Sequence, residues 1–239
     1  MLSRRAFLST TAAPLMAQRR APNVVFILAD DLGYGDLACY GQKEIRTPNL
    51  DRMAAEGTRF TQAYAGCTVC APSRCALMTG YHTGHARVRG NRRNEELLRP
   101  EDFTIAEMFK KAGYTTAIFG KWGIGGLGYP GYPTKKGWDE WYGFFSQMHA
   151  HTYYPEHLLD GEHEELVRGN WGAVKKGYAP DLFLQRALQF LDKSKSFTGQ
   201  SLPIFLQAGR SRVFQKGNEC EGCGEPVGGG VFVAGWMGR

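Results

Sequence analysis

The feature that most restricts the fold is an uninterrupted apolar run at residues 22–29, PNVVFILA, which is rich in β-branched side chains. A half-exposed strand would alternate apolar and polar residues, whereas a continuous run of this length is typical of a strand buried on both faces of a parallel sheet. The run leads directly into the adjacent carboxylates Asp30 and Asp31. The sequence therefore predicts a buried strand that ends at two acidic side chains.

Helical and strand segments alternate along the rest of the chain. Thr47-Pro48 predicts the start of a helix, with Thr47 as N-cap and Pro48 in the first turn, and Gly57 ends it. The further predicted elements are a helix capped by Thr104 and Glu107, a strand at Tyr114–Phe119, a helix at Pro180–Lys193 and a strand at Leu202–Leu206. This order predicts an α/β fold, with a mostly parallel sheet and helices on both faces.

The first residues, MLSRRAFLSTTAAPLMAQ, have the arrangement of a signal peptide, with charge first, then a short apolar stretch, then small residues. The paired Arg4 and Arg5 are similar to the motif of a twin-arginine export signal. We expect residues 1–20 to be an export signal and the protein to be periplasmic or secreted. An ordinary disordered N-terminus is the alternative.

The remaining composition excludes several classes of partner. The net charge of +6 includes the basic leader, and the rest suits an anionic small substrate. No basic and aromatic pattern of a nucleic-acid-binding module is present, and no apolar run is long enough to span a bilayer. The pairs Cys67-x-x-Cys70 and Cys220-x-x-Cys223 leave a split zinc site open as an interpretation, although they lie far apart and no histidine accompanies the second.

Asp30 and Asp31 lie where ligand sites of open α/β sheets are found, at the carboxyl end of a strand. Two carboxylates about 4 Å apart repel by roughly 4 kcal/mol at an effective dielectric constant near 20, so a bound cation would be stabilising. Oxygen ligands favour Ca²⁺ or Mg²⁺. Both side chains reach one ion only if the backbone leaves the strand here, which Gly33 and Gly35 permit; a solvated turn is the alternative.

The segment from Cys70 to Gly80, CAPSRCALMTG, carries more specific information. Pro72 favours a helix that begins here, so we expect Cys70 just before a helix N-terminus, a position that stabilises negative charge. Arg74 lies one turn further on, within reach of the same place. Taken alone, a single cysteine is equally consistent with a small buried apolar residue.

Four segments in order resemble type I, arylsulfatase-like sulfatases. They are NVVFILADDLGYGD, RTPNLD, the C-x-P-S-R signature followed by Thr79-Gly80, and AGYTTAIFGKW, and the resemblance runs from about Pro22 to Leu206. It implies an alkaline-phosphatase-like α/β fold and a sulfuric ester hydrolase acting on an aryl sulfate or a sulfated sugar. In that family a formylglycine-generating enzyme oxidises the leading cysteine, here Cys70, to formylglycine.

The mechanism that the resemblance implies is addition followed by elimination. One hydroxyl of the hydrated aldehyde derived from Cys70 attacks sulfur and expels the alcohol. The second hydroxyl then loses its proton, sulfate leaves, and the aldehyde is restored. An unmodified thiolate has no second hydroxyl with which to release the sulfate, so the chemistry needs the modification.

The resemblance also assigns roles to individual residues. Asp30, Asp31 and the hydrated Cys70 are similar to metal ligands. Arg74 is expected to hold the formylglycine oxygens or the metal-bound carboxylate, and Lys121 to bind a sulfate oxygen. An ordinary lysine at the end of a strand is the alternative for Lys121.

Two further positions bear on the substrate pocket. Many family members have histidine two residues after the lysine, where this chain has Gly123, so that interaction is absent or supplied elsewhere. His149 and His151 lie in an aromatic loop and resemble the substrate-pocket residues of some members, which makes His151 a candidate substrate-binding residue. Surface histidines are the alternative.

The family pattern stops after Leu206. We interpret residues 21–207 as a partial sulfatase domain and residues 208–239 as an atypical Gly-rich tail, explained by a frameshift or by a genuine loop. The resemblance implies that later residues supply an Asp-Asn or Asp-His pair to the metal, so we expect little turnover. The rival interpretations are an inactive remnant and a phosphatase or phosphodiesterase of the same superfamily, which has Ser or Thr in place of Cys70.

Overall fold

The computed structural model of the chain describes residues 22–91, 97–144, 146–194, 203–208 and 231–237. Seven strands and four α-helices lie within these ranges. In chain order they are β1 Asn23–Ala29, α1 Pro48–Glu56, α2 Cys70–Thr79, α3 Ile105–Lys111, β2 Ala117–Lys121, β3 Glu140–Phe144, β4 His157–Asp160, β5 His163–Leu166, α4 Ala179–Ser194, β6 Pro203–Ala208 and β7 Val231–Met237.

All seven strands belong to one sheet, in the order β5-β4-β3-β2-β6-β1-β7. The central strands β3, β2, β6 and β1 run parallel to one another. The pairings toward the two edges, β1 with β7, β3 with β4 and β4 with β5, are antiparallel. The α/β prediction is confirmed, with a parallel centre inside a mixed sheet.

Helices cover both faces of this sheet. Ile118 of β2 belongs to the same buried cluster as Met78 of α2. The next residue, Phe119, belongs to a second cluster that contains Phe190 of α4, with the two rings 6.0 Å apart. Because consecutive strand side chains point to opposite faces, α2 and α4 cover opposite sides of the sheet.

The predicted starts of α1 and α3 agree with the structure, whereas the predicted strand at Tyr114–Phe119 is shifted. The capping box forms as predicted, since Thr104 N donates to Glu107 Oε2 at 2.9 Å and Glu107 N donates to Thr104 Oγ1 at 3.4 Å. The strand expected at Tyr114–Phe119 begins later, at Ala117, because Tyr114 N donates to Phe109 O and still closes the end of α3. The strand also ends later than predicted, at Lys121.

The hairpin of β4 and β5 had no sequence-based prediction. Three of the four residues of β5, HEEL, are exposed, so the strand has no apolar alternation to reveal it. Gly161 makes the turn between the two strands with φ 61°, a conformation that glycine adopts without strain. Tertiary pairing, rather than the pattern of side chains, decides this element.

The segment interpreted as an atypical tail contributes β7, which pairs with the whole length of β1. The other residues of that tail, apart from Ala208 in β6, lie outside the described part of the chain, as does the predicted export signal at residues 1–20. The export signal and the frameshift therefore stay predictions. No helix in the described ranges combines the length and the apolar character needed to cross a membrane.

Candidate active site

Helix α2 begins at Cys70 itself. The preceding residue, Val69, has extended backbone with ψ 141°, and its carbonyl accepts the first helical hydrogen bond from Ser73 N at 3.1 Å. The expectation that Cys70 precedes the helix was therefore slightly wrong. Pro72 is tolerated at the third helical position because no backbone N–H in the first turn has an intrahelical partner. Cys70 thus lies at the N-terminus of α2, which is the positive end of the helix dipole.

The backbone leaves β1 at the two carboxylates, as a shared ion would require. Strand β1 ends at Ala29, and Asp31 has the left-handed backbone conformation, with φ 55°. Gly33 does not make this bend, because its φ of −87° and ψ of 162° are extended. A non-glycine residue with positive φ is uncommon and is often associated with a functional site.

Asp30 is held between two buried cations. Its Oδ1 accepts a hydrogen bond from Arg74 Nη2 at 3.0 Å, and its Oδ2 accepts one from Lys121 Nζ at 3.0 Å. Arg74 Nη1 also donates to the backbone carbonyl of Lys121 at 2.7 Å. Only 2% of Arg74 and 4% of Lys121 are exposed. This buried charge cluster joins the ends of β1 and β2 to α2.

The electrostatics of the buried charge cluster favour a negative ligand. Burial alone would raise the pKa of Asp30, but the charges of Arg74 and Lys121 outweigh that effect and lower the pKa to about 2. The carboxyl group of Asp30 is therefore ionised at physiological pH. Arg74 Nε is buried without a hydrogen-bond partner in the described part of the chain, so an acceptor from a ligand would satisfy it.

A cleft of about 30 Å³ connects these residues to Cys70. Asp30, Asp31, Cys70 and Arg74 all line it. Lys121 is not a lining residue but donates a hydrogen bond to Asp30. The volume is about that of a water molecule or a small ion. The structure thus brings together all the predicted catalytic and metal-binding residues, which lie far apart in the sequence.

The donor types in the cleft suit a hard cation, although their number is small. Asp30 and Asp31 provide carboxylate oxygens, the ligands that Ca²⁺ and Mg²⁺ prefer. The thiol of Cys70 stands in for the oxygen that formylglycine would present. Within the described ranges, no three His, Cys, Asp or Glu side chains are grouped closely enough to hold a metal ion. The assignment of Asp30, Asp31 and Cys70 as metal ligands therefore stays a prediction.

The interpretation of the cysteines as a split zinc site gains no support from the described part of the chain. Cys39, Cys67, Cys70 and Cys75 are free thiols. Cys67 lines the same cleft as Cys70, while Cys220 and Cys223 lie outside the described residues.

Sequence reasoning missed Asn91, which contacts Cys70. Asn91 Nδ2 donates to Cys70 Sγ at 3.2 Å, and Asn91 Oδ1 accepts from Ala71 N at 3.0 Å. Twenty-one residues separate Asn91 from Cys70, and no spacing rule connects them. Only the path of the chain alongside α2 reveals the contact.

The space beside Gly123 is filled by Gln147. Gln147 Nε2 donates to the carbonyl of Gly123 at 3.1 Å, and a Cβ on Gly123 would lie 2.2 Å from that nitrogen. Gly123 also has φ 74°, which favours glycine. The space at position 123 is therefore occupied by a carboxamide from the segment after β3.

The two histidines of the aromatic loop have different environments. His149 stacks on His157, with the ring centroids 4.6 Å apart, and packs edge-on against Phe144. Burial, followed by the effect of His157, lowers the pKa of His149 to about 4, so the ring is neutral at physiological pH. His151 is exposed and is not among the residues that line the Cys70 cleft. Its role in substrate binding stays a prediction.

Comparison with known proteins identifies the family of the chain. The family model described as Sulfatase matches residues 22–203. N-acetylgalactosamine-6-sulfatase of Canis lupus familiaris is 38% identical over 208 residues, and N-acetylglucosamine-6-O-sulfatase of Bacteroides thetaiotaomicron is 33% identical over 194 residues. These matches cover 77% and 80% of the chain. The chain belongs to the sulfatase family.

The solved structures give the same result for the fold. Ps i-CgsB in complex with k-i-k-neocarrahexaose has a TM-score of 0.64 and 28% identity, over 78% of this chain and 44% of that one. The chain spans only part of its relatives, with 38% of the canine protein and 31% of the Bacteroides protein covered. The activity and substrates of those proteins therefore bear on this chain as proposals.

Proposed function

We propose that the protein is a sulfuric ester hydrolase whose nucleophile derives from Cys70. The observation that carries the proposal is the placement of Cys70 at the first residue of α2, in one cleft with Asp30, Asp31 and Arg74. When formed from Cys70, the hydrated aldehyde supplies one hydroxyl that bonds to sulfur as the alcohol leaves, and a second that loses its proton as sulfate leaves. Water then rehydrates the aldehyde.

The chain's own residues bind and orient the anionic sulfate group. The buried charge cluster contains the cations of Arg74 and Lys121, and Arg74 Nε lacks an acceptor within the described residues. Since such a cluster is preorganised before the substrate arrives, it stabilises developing negative charge without reorganisation. A Ca²⁺ or Mg²⁺ ion held by Asp30 and Asp31 would supply further positive charge at the same place.

The proposed substrate class is a sulfated sugar, with an aryl sulfate as a convenient assay substrate. Relatives named for N-acetylgalactosamine and N-acetylglucosamine 6-sulfates support the sugar. A further relative, 28% identical with a TM-score of 0.62, was solved with its substrate D-glucosamine-2-N,6-O-disulfate.

Modification of Cys70 is the direct test of the proposed function. When the chain is produced together with a formylglycine-generating enzyme, peptide mass spectrometry should show that Cys70 has lost the mass expected for conversion of a thiol to an aldehyde. Cys75, five residues further on and fully buried, serves as an internal control that should stay a thiol. Unmodified Cys70, under conditions that convert an established sulfatase, would contradict the proposal.

We also propose export through the leader, on the basis of Arg4 and Arg5. A reporter fused to residues 1–20 should reach the periplasm, and replacing both arginines with lysine should retain it in the cytoplasm. Single replacements serve as graded controls. Equal export of the parent and the double variant, measured by cell fractionation, would show that the leader is not a twin-arginine signal.

A further inference from the structure

The N-terminus of α2 has no cap from its own neighbouring residues. Its N-cap residue, Val69, has an apolar side chain that makes no capping hydrogen bond. The N–H of Ala71, one of the donors that a helix leaves without an intrahelical partner, instead donates to Asn91 Oδ1 at 3.0 Å. Asn91, which lies outside the helix, therefore supplies the capping acceptor that a Ser, Thr, Asp or Asn at the N-cap usually supplies.

This contact determines the orientation of the Asn91 carboxamide. A backbone N–H can only donate, so the oxygen of the carboxamide must face Ala71. The nitrogen then lies closer to Cys70 than the oxygen does, since Nδ2 donates to Sγ at 3.2 Å, whereas the thiol donates to Oδ1 at 3.7 Å. The carboxamide thus presents a donor to whatever atom is bonded to the β-carbon of residue 70.

We propose that Asn91 is a positioning residue that holds the hydrated form of the group derived from Cys70. This inference rests on the proposed function, in which Cys70 becomes formylglycine. The sulfur of cysteine is bonded to a tetrahedral carbon, so Nδ2 is placed for an oxygen on a tetrahedral carbon, which is a hydroxyl of the hydrate. The planar aldehyde carbon would direct its oxygen elsewhere. Asn91 therefore favours the hydrate and orients one of its two hydroxyls.

The reactivity of the free aldehyde measures this effect without any need for turnover. An aminooxy probe forms an oxime with the free aldehyde and not with the hydrate, so a protein that favours the hydrate reacts slowly. One neutral hydrogen bond corresponds to roughly a five-fold change in such an equilibrium. In the native protein, the Asn91→Ala variant should therefore form the oxime roughly five-fold faster than the parent. Both rates are divided by the carbonyl content of each protein, which mass spectrometry measures.

A double variant separates positioning from helix capping. Val69→Ser places a capping hydroxyl on the residue before Cys70, and in the Asn91→Ala background it should restore thermal stability. The oxime rate of this double variant should remain fast, because the donor to residue 70 is still missing. Asn49→Ala on α1 should react like the parent. In denaturant, where the Asn91 contact is absent, all variants should react at one rate.

Each result has a defined meaning. Equal native rates for the parent and Asn91→Ala, with carbonyl present in both, would overturn the role of Asn91 alone. Return of the double variant to the slow rate of the parent would also overturn it, since capping would then explain the whole effect. Absence of carbonyl from every variant would instead contradict the proposed function on which the inference depends.

Discussion

Replacing Asp30 with asparagine is expected to destabilise the protein by about 3 kcal/mol. The substitution removes the carboxylate that pairs with both Arg74 and Lys121, two buried cations, and so breaks both ion pairs. Breaking a buried ion pair by removing one partner commonly costs about 3–5 kcal/mol. We expect the lower end of that range because 23% of the Asp30 side chain is exposed.

Urea denaturation of the full chain measures this effect, and an exposed carboxylate provides a matched control. Asp181→Asn removes the same charge from the exposed first turn of α4. It should therefore cost less than about 1 kcal/mol, as is usual for substitutions away from buried charges. Similar midpoints for Asp30→Asn and the parent would show that the buried charge cluster does not stabilise the fold.

Replacing Gly143 with alanine is expected to disrupt the centre of the sheet. Gly143 of β3 pairs with Gly120 of β2, and a Cβ on Gly143 would lie 1.7 Å from the carbonyl oxygen of Gly120. Because that oxygen is part of the backbone, no side-chain rotation relieves the clash, and the two strands must separate. Overpacking of this severity should cost at least about 3 kcal/mol. Lys121, the next residue after Gly120, would also lose its position beside Asp30.

Circular dichroism on heating measures the loss of stability, and Gly35→Ala is the matched control. A Cβ on Gly35 meets nothing within 4 Å, so that variant should unfold close to the parent. A Gly143→Ala variant that unfolds at the temperature of the parent would contradict the close approach of β2 and β3. The pair of variants isolates steric contact from the general cost of replacing a glycine.

The ion pairs of Asp30 with Arg74 and Lys121 connect the candidate site to the fold. Arg74 belongs to the C-x-P-S-R signature, and Lys121 ends the central strand β2. Both donate hydrogen bonds to Asp30, the residue that directly follows β1. Because the ends of parallel strands converge on one edge of the sheet, the same three contacts stabilise the fold and present positive charge to an anion.

Several features of the fold were predictable from local chemistry. The apolar run before Asp30 specifies the strand β1. Only Leu28 of its seven residues is buried, so the strand is less buried than predicted. Pro48 and the Thr104–Glu107 capping box specify helix starts, because each satisfies or removes backbone donors within one turn. The C-x-P-S-R segment led to Cys70 and Arg74 as site residues, and the structure places both in one cleft.

Other features depend on contacts between distant segments. The hairpin of β4 and β5 forms by pairing, with little apolar pattern of its own. Gln147 beside Gly123 and Asn91 beside Cys70 are brought there by the path of the chain. By itself the sequence determined the α/β order, the strand before Asp30 and the candidate site residues Cys70 and Arg74, because these follow from side chains near one another along the chain. Only the tertiary structure decided that Lys121 and Arg74 share Asp30 and that Asn91 orients toward Cys70, because hydrogen bonds between distant residues depend on packing.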